Sequence, residues 1–175
     1  MFEERTGTRI NNRDIIFEFG GGYGSLCRLI HQLGFKGTYI IYDLPEFSAL
    51  QRYYLESLGV SVHTFGRNQK VDSGVMLLSD FDELSFLFAN HLGPNSMFIA
   101  TWSFSETPVS FRLSFQPLFS SFTTYLIAYQ HRFGEIDNTA FFSNWKASFG
   151  SRITWHEWEM RHIPGNSYLV GCASD

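Results

Sequence analysis

The chain has 175 residues, 44% of them apolar and 17% charged, which fits one globular domain and excludes a disordered tail or a low-complexity array. Thirteen Lys and Arg against 17 Asp and Glu give a net charge of −4, a sign that disfavours a nucleic-acid reader working through phosphate contacts. No apolar run approaches the ~18 residues of a membrane span, the opening Met-Phe-Glu-Glu-Arg-Thr is too polar for a signal peptide, and Cys27 and Cys172 are too few for a disulfide scaffold, so a soluble, cytoplasmic domain is expected.

From residue 15 onward, strand-like and helix-like segments alternate. Ile15–Phe19 is a short apolar run ending in glycines, as a buried parallel strand should be. Ser25–Leu33 reads as a helix with Leu26, Leu29, Ile30 and Leu33 on one face and Gly34 closing it. Thr38–Tyr42 is a second strand. Pro45 opens a helix whose expected apolar stripe is Phe47, Leu50, Tyr54 and Leu58, stopped by Gly59. Val60–Phe65 and Val75–Leu78 both read as strands across a polar loop at Gly66–Gly74, one the third parallel strand and the other an edge or hairpin partner.

Ser79 or Asp80 caps a helix that runs to about His91 and packs through Leu84, Leu87 and Phe88. Met97–Thr101 is a fourth central strand. Thr107-Pro108 starts a helix that Pro117 kinks or ends. Thr123–Tyr129 is the fifth strand and Thr139–Phe149 a further helix. Arg152–Glu159, a turn at Ile163–Asn166, and Ser167–Gly171 then form a hairpin without a crossover helix. Such a pattern predicts a doubly wound, Rossmann-like α/β domain. Its sheet is mostly parallel and seven-stranded, with an antiparallel C-terminal β-hairpin and helices on both faces.

Glu18-Phe-Gly20-Gly-Gly22-Tyr23-Gly24 lies between the first strand and the first long helix. Gly20 permits a sharp turn off the strand, and Gly22 and Gly24 let a ligand and the next helix approach the backbone closely. Asp43, 19 residues beyond Gly24 at the tip of the second strand, is placed to take both ribose hydroxyls of a nucleoside. A dinucleotide site wants G-x-G-x-x-G, but here Ser25 stands where the third glycine belongs. Glu18 would repel a pyrophosphate, whereas it suits a cofactor carrying an ammonium and a sulfonium. A carboxylate bracing the loop through backbone N–H groups is the plainer alternative.

The spacing acid-x-Gly-x-Gly-x-Gly resembles motif I of class I S-adenosylmethionine (SAM)-dependent methyltransferases, and the final hairpin resembles the reversed strand those enzymes add to their sheet. Further segments resemble the sugar O-methyltransferase family: Tyr39-Ile-Ile-Tyr-Asp43-Leu44-Pro45-Glu-Phe, Gln51-Arg-Tyr-Tyr-Leu55, Trp102-Ser-Phe-Ser-Glu106-Thr-Pro108, and Ile163-Pro-Gly-Asn-Ser-Tyr-Leu-Val-Gly171. The resemblance covers about residues 15 to 171. It implies a SAM site on Glu18, Gly20, Gly22, Tyr23 and Gly24 of the loop. It adds Asp43 and Leu44, then Asp80 and Phe81 beside the adenine, with Thr101 and Trp102 at the fourth-strand exit. S-adenosylhomocysteine (SAH) would be the product and a carbohydrate the acceptor. Fourteen residues precede the first strand, where such enzymes commonly carry helices over the substrate. The expectation is one methyltransferase domain over 1–175, either excised from a longer polypeptide or minimal with an open site.

Methyl transfer to a hydroxyl needs the oxygen held in line with the methyl group and relieved of its proton. Glu106 after the fourth strand and His131 after the fifth are the first candidates for that base, with Asp137, Asn138 and His162 behind them. Glu106 also suits a helix start, Asp137 and Asn138 an N-cap, and either histidine an ordinary packing role. His131, Glu135 and Asp137 offer a hard-metal set of undistinctive spacing, so no metal is expected. Trp102, Phe104, Phe133, Phe141, Phe142 and Trp145 suit a sugar face or, more commonly, a core. Cys27 reads as packing. Two other functions share this architecture: a nicotinamide-dependent oxidoreductase and a methyltransferase-like module that binds without turnover.

Overall fold

The computed structural model describes residues 2–66, 73–91, 93–119 and 121–174. Most of the expected loop at Gly66–Gly74 lies outside these residues. A short helix α1 (Phe2–Thr6) leads into β1 (Ile15–Phe19), α2 (Ser25–Gln32), β2 (Thr38–Tyr42) and α3 (Pro45–Ser57). After them come β3 (Val62–Thr64), β4 (Gly74–Leu78), α4 (Phe81–His91), β5 (Ser96–Thr101), α5 (Val109–Phe119) and β6 (Thr124–Gln130). The chain finishes with β7 (Arg132–Phe133), β8 (Ile136–Asp137), α6 (Asn138–Ser148), β9 (Ile153–Glu159) and β10 (Asn166–Ala173).

The main sheet runs β3-β4-β2-β1-β5-β6-β10-β9, parallel except that β10 is antiparallel to both neighbours. It therefore has eight strands where seven were expected. Both segments around residue 70 join it, and Val62–Thr64 adds a short parallel edge beside β4. A two-stranded hairpin of β7 and β8, turned at Gly134 with φ of 56°, was not foreseen. Among the described residues no helix is long and apolar enough to cross a membrane.

Alternation along β1 divides the core. Phe17 and Phe19 face the layer of α4, α5 and α6: Phe17 meets Phe88 and Phe19 meets Phe115, with Phe142 reached through Phe104. Ile16 faces α2 and α3, with Cys27, Ile30 and Leu55. Aromatic rings fill the first layer edge to face, such as Phe17 on Phe88 at 5.1 Å and Phe19 on Phe104 at 5.2 Å.

Two helix faces differ from the periodicity. On α2 the buried residues are Cys27 and Ile30, leaving Leu29 and Leu33 exposed. On α3 they are Gln51 and Leu55, while Phe47, Leu50 and Leu58 face outward. Gln51 sets that rotation, because its Nε2 donates to Gly22 O and Asp43 Oδ2 inside the fold, which offsets the cost of burying it. Pro117 lies within α5, which ends two residues later.

Candidate functional site

β2 and β5 flank β1 on opposite sides, so the chain leaves β1 at the switch point where open α/β sheets form their ligand crevice. A cavity of about 360 Å³ opens there. Phe19 ends β1 and Gly20 follows it, Tyr42 ends β2 with Asp43 and Leu44 beyond, and Ser79 follows β4; Ser103, Glu106, Thr107 and Phe111 complete the lining from beyond β5. Such a volume lies within the range of small-ligand pockets.

The glycine loop is built around hydrogen bonds as well as shape. Gly20 has φ of 70°, and its backbone N–H donates to Tyr42 O at 2.8 Å. A β-carbon on Gly20 would lie 2.7 Å from Ser103 Oγ, so only glycine lets the β5 exit close over the loop. Gly22 has φ of 56° and open space where a side chain would stand.

Asp43 sits at the expected strand tip. Its Oδ1 accepts from Leu44 N and its Oδ2 from Gln51 Nε2, both at 2.8 Å. Gln51 Nε2 also donates to Gly22 O at 2.8 Å, tying α3 to the loop and to the carboxylate. Its Oε1 is buried with no hydrogen-bond partner. Burial raises the Asp43 pKa, opposed by the Leu44, Gln51, Gly22 and Gly21 donors.

Glu18 does not line the cavity. It is 1% exposed, under the loop, where Tyr39 Oη donates to Oε2 at 2.9 Å. A β-carbon on Gly21 would stand 3.1 Å from that same oxygen. Burial first, with the Asp43 charge adding, raises its pKa to about 7 against the opposing Tyr39 bond.

Beyond β5 the backbone turns sharply. Trp102 has φ of 64°, a costly value outside glycine, held by its N–H to Ala128 O at 2.7 Å and its indole Nε1–H to Asn166 Oδ1 at 2.7 Å. Ser103 Oγ then donates to Phe19 O. Glu106 stands exposed at the cavity wall, with Gln130 Nε2 3.4 Å from its Oε1.

Arg112, fully buried on α5, braces this segment from behind. It donates to Thr107 O (2.9 Å), Ser105 O (2.6 Å) and Asn138 Oδ1 (2.7 Å) and stacks 4.8 Å from the Phe141 ring. Burial lowers its pKa to about 10. Sequence reasoning gave no site role to Gln51, Ser79, Ser103, Gln130 or Arg112; Gln51 and Ser103 stand inside the resembling segments, and Ser79 reads only as a helix cap.

The other expected site residues divide. Leu44 lines the cavity. Tyr23 is half exposed and packs edge-on to Tyr54. Asp80 caps α4 through Asp82 N and Glu83 N, both at 2.9 Å, and Phe81 packs on Phe115. Gly24 and Thr101 border the loop and the β5 exit. His131 lies apart from the cavity lining, its Nε2 2.9 Å from Ser167 Oγ. Asp137 is the α6 N-cap and Asn138 the buried partner of Arg112. Among the described residues no three His, Cys, Asp or Glu side chains cluster as metal ligands, so His131, Glu135 and Asp137 do not converge. Phe104, Phe142 and Trp145 are core. Cys27 is fully buried, its thiol pKa raised by burial.

No protein-family model and no curated protein sequence matches the chain. Solved structures do. An O-methyltransferase family protein from Burkholderia thailandensis superposes with a TM-score of 0.64 at 12% identity, over 94% of this chain and 52% of that one. The fold is that of class I methyltransferases. An rRNA methylase from Streptococcus thermophilus matches with a TM-score of 0.61 at 13% identity, over 94% of this chain and 88% of that one. Magnesium protoporphyrin IX methyltransferase from Synechocystis, solved with bound SAM, matches with a TM-score of 0.59 at 12% identity, covering 91% and 69%. The chain spans about half the length of the Burkholderia protein. In this methyltransferase fold the cavity occupies the crevice at the β1 switch point.

Proposed function

We propose that the chain is a SAM-dependent O-methyltransferase whose acceptor is a sugar hydroxyl of a glycan, polysaccharide or sugar precursor. The observation that carries the cofactor reading is the charge of the crevice. Asp43 and Glu106 line it, Glu18 lies beneath its glycine loop, and no Lys or Arg is among its described lining residues. Such a site attracts a sulfonium and repels a diphosphate, which weighs against a nicotinamide dinucleotide. The residues present fit SAM: open space at Gly22, a strand-tip carboxylate, and an apolar wall of Phe19, Leu44 and Phe111.

When bound, SAM supplies an electrophilic methyl group. Asp43 takes the ribose hydroxyls on lone pairs left free by Leu44 and Gln51. Glu18, its pKa raised to about 7, adds negative potential from below the loop as it ionises above that pH. Glu106 accepts the proton of the sugar hydroxyl, and its place in the cavity wall favours it over His131. The brace from Arg112 through Ser105 and Thr107 holds the Glu106 segment in position. The sugar acceptor rests on the resemblance of the Trp102–Pro108 and Ile163–Gly171 segments, and the net negative charge supports an acceptor other than nucleic acid.

Transfer of a labelled methyl group from SAM to oligosaccharide acceptors tests this reading. Glu106→Gln should lower kcat by ~10²–10⁴-fold with little change in KM. Transfer to other hydroxyl acceptors but to no sugar would overturn the sugar assignment. SAH binding with no transfer to any acceptor would make the chain a binding module.

A further inference from the structure

A second cavity, of about 450 Å³, opens at the opposite end of the sheet. It lies where β6 and β9 begin and β10 ends, at Thr124, Thr154 and Cys172. β5 spans six residues between this level and the β5 exit, roughly 15–20 Å along the sheet. The two cavities share no residue.

Its lining is polar and of one sign. Arg5 comes from α1, Arg13 from the segment before β1, and His156 from β9. Hydroxyl and amide groups of Thr8, Asn95, Thr154 and Ser174 stand between them. No Asp or Glu is among the described lining residues; of the two groups that act electrostatically on Arg13 to favour its charge, Cys172 is in the lining and Asp14 lies outside it. Arg5 also lies 5.6 Å from the Trp158 ring and lines a neighbouring cavity with Glu4 and Glu159, so the positive charge that no lining carboxylate offsets is centred on Arg13.

The arginine at its centre is positioned and incompletely used. Arg13 Nη1 donates to Asn95 Oδ1 at 3.0 Å and Nη2 to Thr8 Oγ1 at 2.6 Å. Both partners are neutral and leave further N–H groups on the fork. Its Nε–H is buried with no hydrogen-bond partner, a costly state for a donor. A charged fork held by neutral groups, beside hydroxyls that can donate, suits a tetrahedral oxyanion.

We propose that this cavity binds a phosphate group, free or as a monoester, with Arg13 as the principal contact and Arg5 and His156 closing over the anion. Ser174 Oγ donates to Ser151 O at 2.8 Å and accepts from Thr154 Oγ1 at 3.0 Å, so Thr154 adds a donor by turning its hydroxyl from Ser174 to the anion. A small turn of the guanidinium toward the anion gives Nε–H its acceptor. The site stands independently of the methyltransferase reading, since it uses none of the residues of the first crevice.

Calorimetry on the whole chain tests this with two probes, inorganic phosphate and glucose 6-phosphate. Saturable one-to-one binding of either within ~20 mM is expected, and a tighter ester identifies the esterified source. Arg13→Gln should weaken binding about tenfold or more, the loss expected for a charge-assisted hydrogen bond. Thr154→Asp changes an exposed residue and should weaken it comparably by placing a carboxylate against the anion, so a folding defect in Arg13→Gln leaves the proposal testable. SAH binding should be unchanged in Thr154→Asp. No saturation with either probe, or equal affinity in Thr154→Asp and the unaltered chain, would overturn the site.

Discussion

Replacing Glu18 with Gln tests the electrostatics beneath the glycine loop. The carboxyl is 1% exposed, receives one hydroxyl bond from Tyr39, and keeps its proton up to about pH 7 because burial disfavours the charged form. In the unfolded chain the same group ionises near pH ~4.3. Between those values the folded protein binds more protons than the unfolded one, so stability falls as pH rises through the window. The full cost, reached above about pH 7, is roughly 3.5–4 kcal/mol. Glu18→Gln keeps an acceptor for Tyr39 and removes the titration. Urea unfolding near pH ~5 and pH ~8.5 should show the unaltered protein losing roughly 2–3 kcal/mol relative to the variant. Parallel pH profiles would refute the reasoning, since Glu18 would then titrate alike folded and unfolded.

Glycine substitutions should separate packing from ligand access. Gly20→Ala meets Ser103 and a positive φ together and should cost about 2–5 kcal/mol in thermal or urea unfolding. Gly22→Ala meets no neighbour within 4 Å and should cost only about 1–2 kcal/mol while weakening SAH binding. Arg112→Met strips donors from Ser105 O, Thr107 O and Asn138 Oδ1 and should destabilise by about 3 kcal/mol or more. Arg112→Lys should rescue little of that loss, because one ammonium does not reproduce the planar fork.

Strand positions were readable where chemistry is local. Ile15–Phe19 and Thr38–Tyr42 are apolar runs ended by Gly20 and Asp43, and both strands keep those bounds. Helix faces were less readable, because periodicity assigns burial by polarity alone. Gln51 is buried since Gly22 O and Asp43 accept its amide, and no pattern within α3 announces partners so distant in sequence. The Arg112–Asn138 bond joins residues 26 apart in the same way. Asp43 and the glycines were legible because glycine turn, helix, strand and acid follow in order. Glu18 was legible as an acid near the loop, but its burial depends on Tyr39 and the Gly21 backbone above it.

The central claim is that the bend after β1 holds a cationic methionine-derived nucleoside. Calorimetry with SAH and with NADH, on the unaltered chain and on Asp43→Ala, tests it most directly. The account predicts one SAH per chain, negligible NADH binding, and loss of SAH affinity on removing the Asp43 carboxylate. Tight NADH binding without SAH binding, or SAH affinity unchanged in Asp43→Ala, would contradict it.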